Sequence, residues 1–132
     1  HPKYLSTVAI DLATADFERV LKEFEALEPV VVVGLVEREG DFLYNSAVAI
    51  RRGKLLRRYR KVHLLRGEEI AFEPGTEAMV FDVDSARIGI NICCDLNFHE
   101  SVERCAKAGA KVLVCPCSNM MPGAWAEEWK PA

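Results

Sequence analysis

A thiol stands where an apolar stretch gives way to a turn, in Gly89-Ile90-Asn91-Ile92-Cys93-Cys94-Asp95-Leu96. A cysteine so placed projects from the carboxyl end of a sheet, where α/β folds keep their ligands. The backbone N–H groups after it can face a developing oxyanion, and a helix starting just beyond adds partial positive charge that favours thiolate. Free cysteines more often do nothing but pack, so the local pattern leaves both readings open. Two other sets of residues invite chemistry. Arg51, Arg52, Lys54, Arg57, Arg58, Arg60 and Lys61 form a dense basic run of the kind that meets phosphates. Cys93-Cys94 and Cys115-Pro116-Cys117, with Cys105 and His63, raise metal or redox chemistry.

Neither alternative gathers support. Acidic residues outnumber basic ones, 20 to 17, and no nucleic-acid motif accompanies the basic run, which reads as a strand edge with solvated arginines. Structural zinc sites prefer cysteine pairs about two to four residues apart, and neither an adjacent pair nor Cys-Pro-Cys has that spacing. No metal, no cofactor and no nucleic-acid partner are therefore expected.

The elements that position Cys93 follow from periodicity. Phe17, Val20, Leu21, Phe24 and Leu27 fall on one face of a helix over Thr14–Leu27, with Thr14 as N-cap and Pro29 beyond the end. Val30–Val36 is a β-branched run suited to a strand covered on both faces. Glu39-Gly40-Asp41 turns into a strand over Tyr44–Ile50, and Arg52-Gly53-Lys54 into one over Leu55–Tyr59. Residues 67–76, polar and holding Pro74-Gly75, read as a loop. Strands are expected over Met79–Val83, Arg87–Cys93 and Lys111–Cys115, with a helix over Glu100–Ala108 closed by Gly109. Strand, helix, strand at this spacing is a βαβ crossover, so the fold class is α/β with some parallel sheet.

Bulk properties set the frame. Half of the 132 residues are apolar, enough for a core, and the net charge of −3 argues for no particular partner. No stretch approaches the ~20 apolar residues of a membrane span, and the start is unlike a signal peptide. Five cysteines with two adjacent are a poor disulfide framework and fit reduced thiols, hence a cytoplasmic, soluble chain. The chain begins at His1 and stops at Lys130-Pro131-Ala132, and either end reads as a cut.

Five segments in order give a resemblance. Lys54-Leu55-Leu56-Arg57-Arg58-Tyr59-Arg60-Lys61-Val62-His63-Leu64 resembles the lysine segment of the nitrilase superfamily, and Gly89 to Glu100 resembles its nucleophile segment. Glu68 lies six residues before Pro74-Gly75, as does that family's second glutamate. Gly34-Leu35-Val36-Glu37 with Tyr44-Asn45-Ser46-Ala47 is similar to the strand pair before the lysine. Val114-Cys115-Pro116-Cys117-Ser118-Asn119 is similar to the strand and loop lining the pocket.

The resemblance implies a four-layer αββα sandwich and a hydrolase of non-peptide carbon–nitrogen bonds. Cys93 would attack an amide, nitrile or carbamoyl carbon. Lys61 and the Cys94 N–H would stabilise the tetrahedral intermediate, and Glu68 would orient Lys61. Asn119 to Trp129 would offer pocket lining, Asn119 first among them. A homo-oligomer is implied as well. The family's general-base glutamate, at the end of an early strand, matches nothing here: Glu18, Glu23, Glu25 and Glu28 belong to the first helix or its exit. The chain is thus expected to be a single incomplete domain over residues 1–132, lacking that strand and the C-terminal strands, and inactive by itself. A catalytically dead scaffold is the alternative. Cys94 stands where the family often has an aromatic residue and His99 where it often has proline.

Overall fold

The computed structural model describes residues 2–117. Two three-stranded sheets face each other. The first is an antiparallel meander of β1 (Val31–Glu39), β2 (Phe42–Arg51) and β3 (Lys54–Arg60) in the order β1-β2-β3. The second holds β4 (Met79–Val83), β5 (Ala86–Ile90) and β6 (Val112–Val114); β4 and β5 are antiparallel, β5 and β6 parallel. The β5–β6 crossover runs through α3 (His99–Lys107), so the βαβ unit expected from spacing is present.

Alternation along the strands sorts residues into layers. Ala47 and Ala49 of β2 and Tyr59 of β3 face the second sheet and pack with Phe81, Ile90 and Ile92. Val48 and Ile50 face the other way, onto Phe17, Val20 and Leu21 of α2 (Ala15–Glu23). On the far side of the second sheet α3 comes close to β5. A Cβ on Gly89 would lie 2.9 Å from Leu113 Cδ1 and 3.2 Å from the Cys105 Cβ, so glycine admits the helix. Helix, sheet, sheet, helix are the four layers the resemblance implies, and burying each large apolar side chain between them contributes about 1.5–3 kcal/mol.

Several boundaries differ from the sequence reading. The first long helix ends at Glu23 rather than Leu27, because the chain turns (Leu27 N–H to Phe24 O, 3.1 Å) and the Leu27 carbonyl accepts from Arg52 N–H in the β2–β3 turn. A short helix, α1 (Pro2–Val8), has no counterpart in the sequence reading. Beyond it Ile10 bridges the open edge of β1, its N–H reaching Val36 O and its carbonyl accepting from Arg38 N–H, both 2.9 Å. The expected loop over 67–76 contains one 3-10 turn, Glu68–Ile70.

The second half of the basic run, from Arg58 on, is paired rather than solvated, which corrects the expectation there, while Lys54 and Arg57 are exposed as expected. Glu37, 1% exposed on the α2 side of the first sheet, accepts from Ser46 Oγ (2.6 Å), Arg58 (2.8 Å) and Arg60 (2.5 Å). Arg60 also reaches Glu39 (2.9 Å) and lies over the Tyr44 ring, while Arg51 pairs with Asp84 and Arg52 with Glu28. Among the described residues no helix is long and apolar enough to cross a membrane.

Candidate active site

Lys61 continues β3 past its last paired residue, its N–H donating to Asn45 O at 2.9 Å. The strand alternation turns it, like Tyr59, toward the second sheet, and it is 1% exposed. A buried ammonium needs a partner. The partner is Glu68, whose Oε2 accepts from Lys61 Nζ at 2.5 Å and from Leu65 N–H at 2.7 Å, while its Oε1 accepts from Asn45 Nδ2 at 3.1 Å. Burial is the largest single influence and works against charge on both groups, but their mutual hydrogen bond, their charge attraction and the other hydrogen bonds together outweigh it: Lys61 is held above its ordinary range and Glu68 below. The pair is therefore ionised across neutral pH.

Pro74-Gly75 explains why this geometry holds. The Gly75 N–H donates to Lys61 O at 2.8 Å, and a Cβ on Gly75 would sit 2.2 Å from the Arg60 carbonyl oxygen. Only glycine lets the loop lie flat on the backbone that carries Lys61.

Cys93 enters from the other sheet. The regular β5 ladder ends at Ile90, three residues before the sequence reading placed it, yet Asn91 N–H still reaches Val114 O (3.0 Å) and Cys93 N–H reaches Pro116 O (3.0 Å). At Cys93 the backbone then takes a left-handed conformation, φ +49°, and opens the 3-10 turn Cys93–Asn97. Such a conformation costs a non-glycine residue on the order of 1 kcal/mol; among the described residues only Arg52 and Asp84, both in strand-to-strand turns, share it. Cys93, Lys61 and Glu68 line one cavity of about 540 Å³ with Gly34, Val36, Asn45, Phe72, Ile92 and Pro116 among its other walls. Glu68 is the one carboxylate among its described lining residues.

The expectation that the site favours thiolate needs correcting. Burial raises the Cys93 pKa and neighbouring Cys117 adds to the rise, while the Lys61 ammonium and the Cys94 N–H pull it back only in part. A proton acceptor is needed to make the nucleophile.

The candidacy of Cys94 rests on its backbone N–H, and its side chain points elsewhere. Its side chain is buried away from the cavity lining, donating to His63 O at 3.0 Å and lying beside Lys61; its backbone N–H lies toward the Cys93 sulfur. Asn119 lies outside the described residues.

Asp95 was missed. It is fully buried, and its Oδ2 accepts from Tyr59 OH (2.8 Å) and Ile92 N–H (3.0 Å) while its Oδ1 accepts from His63 N–H (2.9 Å). One carboxylate thus ties the turn carrying Cys93 to the segment just after Lys61. The signal was an aspartate two residues past the thiol, with a tyrosine at an inward β3 position to meet it.

Comparison with known proteins gives the family and the fold. The chain is 41% identical over 93 residues to a nitrilase from Pyrococcus abyssi (strain GE5 / Orsay), covering 70% of this chain and 36% of that protein. An amidase of the nitrilase superfamily from Nesterenkonia AN1 superposes with a TM-score of 0.79 at 22% identity, over 95% of this chain and 49% of its own, a likeness of fold. A mutant of the Nesterenkonia sp. AN1 amidase, carrying the acetamide moiety of fluoroacetamide on its active-site cysteine, matches at 26% identity with a TM-score of 0.70, over 75% of this chain and 39% of its own. The chain spans well under half the length of the curated relatives it matches. Residues 2–131 match the family described as carbon-nitrogen hydrolase, and the chain belongs to that family.

Proposed function

We propose that the protein to which this chain belongs hydrolyses a non-peptide carbon–nitrogen bond, in an amide, nitrile or carbamoyl substrate, through a thioester on Cys93. The observation that carries this reading is the convergence of Cys93, from the second sheet, with the Lys61–Glu68 pair, from the first, on one cavity.

The Cys93 sulfur attacks the substrate carbon as its proton passes to a base. Negative charge gathers on the substrate oxygen or nitrogen and meets the Lys61 ammonium and the Cys94 N–H. For an amide, the tetrahedral intermediate expels the amine with a proton and leaves a thioester, which water cleaves to the acid and the free thiol. Glu68 keeps Lys61 charged and aimed. Because Lys61 is anchored through Glu68 to Asn45 and Leu65, the charge is in place before substrate arrives, which is what makes electrostatic stabilisation effective. The thiol base is expected to be the family's early-strand glutamate, outside these residues, so the acting domain is larger than the chain. Five unpaired cysteines suit a reducing compartment, and we place the protein in the cytoplasm as a homo-oligomer. An inactive scaffold is the weaker reading, since it gives no reason for an aligned thiol, ammonium and carboxylate.

The test uses the full-length protein and a small amide library. Trapping by rapid acid quench and mass spectrometry should find an acyl group on Cys93, absent in Cys93→Ala. Acylation of another cysteine, or turnover by Cys93→Ala, would overturn the assignment.

A further inference from the structure

The thiols of Cys115-Pro116-Cys117 take no step in the proposed hydrolysis, yet the segment lies against the nucleophile. The β5–β6 register pairs Ile88 with Val112, Gly89 with Leu113 and Ile90 with Val114. The Asn91–Val114 and Cys93–Pro116 hydrogen bonds carry the same parallel pattern past the end of the named strands. Extending that register three residues beyond Ile90 sets Cys93 opposite Cys117. Residues opposite one another on neighbouring strands are about 4.8 Å apart, inside the roughly 4.4–6.8 Å Cα separation that a disulfide spans. Both cysteines line the cavity, and Cys117 is exposed.

We propose that Cys117 is a resolving thiol for Cys93, so that a hydroperoxide converts the two into a Cys93–Cys117 disulfide that a dithiol reverses. In the first step the Cys93 thiolate attacks a peroxide oxygen. The O–O bond breaks, the peroxide is reduced to an alcohol or water, and the sulfur becomes a sulfenic acid. In the second step the Cys117 sulfur attacks the Cys93 sulfur. The S–O bond breaks, and the hydroxyl leaves as water with the Cys117 proton. Two thiols and one hydroperoxide thus give one disulfide, one alcohol or water, and one further water.

Cys115 is the competing resolver and is worse suited. Its sulfur lies 3.6 Å from Cys117 Sγ and donates toward the Cys93 carbonyl at 3.7 Å, not toward the Cys93 sulfur. Burial, reinforced by Cys117, pushes its thiol up to about 12, so it stays protonated and unreactive. Without a resolving thiol, a sulfenic acid on Cys93 would be open to further oxidation to sulfinic and sulfonic acids, which small thiols do not repair. The capture step depends only on the two sulfurs. Its consequence, reversible silencing of the enzyme, rests on the hydrolase reading.

The experiment exposes full-length protein to hydrogen peroxide and maps cysteines by non-reducing digestion and fragment-ion sequencing. The expected result is a loss of two hydrogens, a crosslink joining Cys93 to Cys117, and return of both free thiols with dithiothreitol. In Cys117→Ser, Cys93 should instead gain two or three oxygens that dithiothreitol does not remove. The proposal is overturned if wild-type Cys93 overoxidises without a crosslink, or if the bond formed is Cys115–Cys117 with Cys93 left free. The wild-type map needs no variant to fold. It also remains decisive if no amide is turned over, so failure of this inference is distinct from failure of the hydrolase assignment.

Discussion

The two faces of β3 carry the same ingredients to opposite ends. On one face Arg58 and Arg60 close on Glu37, with Glu39 and Ser46 completing the cluster, and every charge there has an opposite partner in contact. On the other face Tyr59 meets Asp95, and Lys61 meets Glu68 at the wall of a cavity that also holds a thiol. Residue parity alone separates them: Arg58 and Arg60 turn to the α2 side of the sheet, Tyr59 and Lys61 toward the second sheet. The difference lies in what remains after pairing. The arginine cluster satisfies itself and stabilises the sheet. The single ammonium is fixed by one carboxylate, yet it still borders open space where new negative charge can form.

That contrast predicts different losses from comparable lesions. Lys61→Met should cost roughly 10²–10³ in kcat, the effect of deleting one preorganised oxyanion donor. KM should change far less, as read from steady-state kinetics of the full-length protein on whichever amide acylates Cys93. Equal losses from Arg58→Met would break the contrast. Glu37→Gln should instead leave kcat near wild type and lower stability by about 3 kcal/mol. Removing one member of a buried ion pair strands its partners, and the partial exposure of Arg58 moderates the cost. A denaturant midpoint measures it, and an unchanged midpoint would show that water already satisfies these arginines.

Parity was also the most readable part of the sequence. β4 fell where the apolar run placed it, and β2, β3, β5 and α3 began within two residues of expectation, because alternation and caps are local signals. Order and spacing single out Cys93, Lys61 and Glu68 as candidates, and the structure brings these three to one cavity. What could not be read were tertiary effects. The burial that raises the Cys93 pKa comes from the packing of two sheets. The pairing of Arg58 and Arg60 with Glu37 joins residues 21 and 23 apart in the chain. Asp95 bonds Tyr59 and His63, 36 and 32 residues away, and no periodicity announces such a tie. α1 is too short for a period to show.

The Asp95 tie gives a smaller lesion on the cavity side. Tyr59→Phe removes one hydrogen bond to a carboxylate that keeps two backbone donors, so stability should fall by about 1 kcal/mol, visible as a lower thermal midpoint. A loss of more than about 3 kcal/mol would mean that Asp95 depends on the phenol for its charge.

The finest test is electrostatic. Burial raises the Cys93 pKa and Lys61 opposes it, so removing the ammonium must move that pKa further up. Alkylation by iodoacetamide consumes thiolate, and below the thiol pKa its rate follows the thiolate fraction. In Lys61→Met, labelling of Cys93 should therefore slow at every pH below the wild-type midpoint, and the midpoint itself should shift to higher pH. Glu37→Gln changes charge on the far side of the same strand, with the sheet between, and should leave the Cys93 profile where it was. Site-resolved mass spectrometry separates Cys93 from the other four cysteines. A Cys93 midpoint that moves with Glu37→Gln but not with Lys61→Met would place the field at the thiol on the wrong face of the sheet, and the oxyanion role of Lys61 would fall with it.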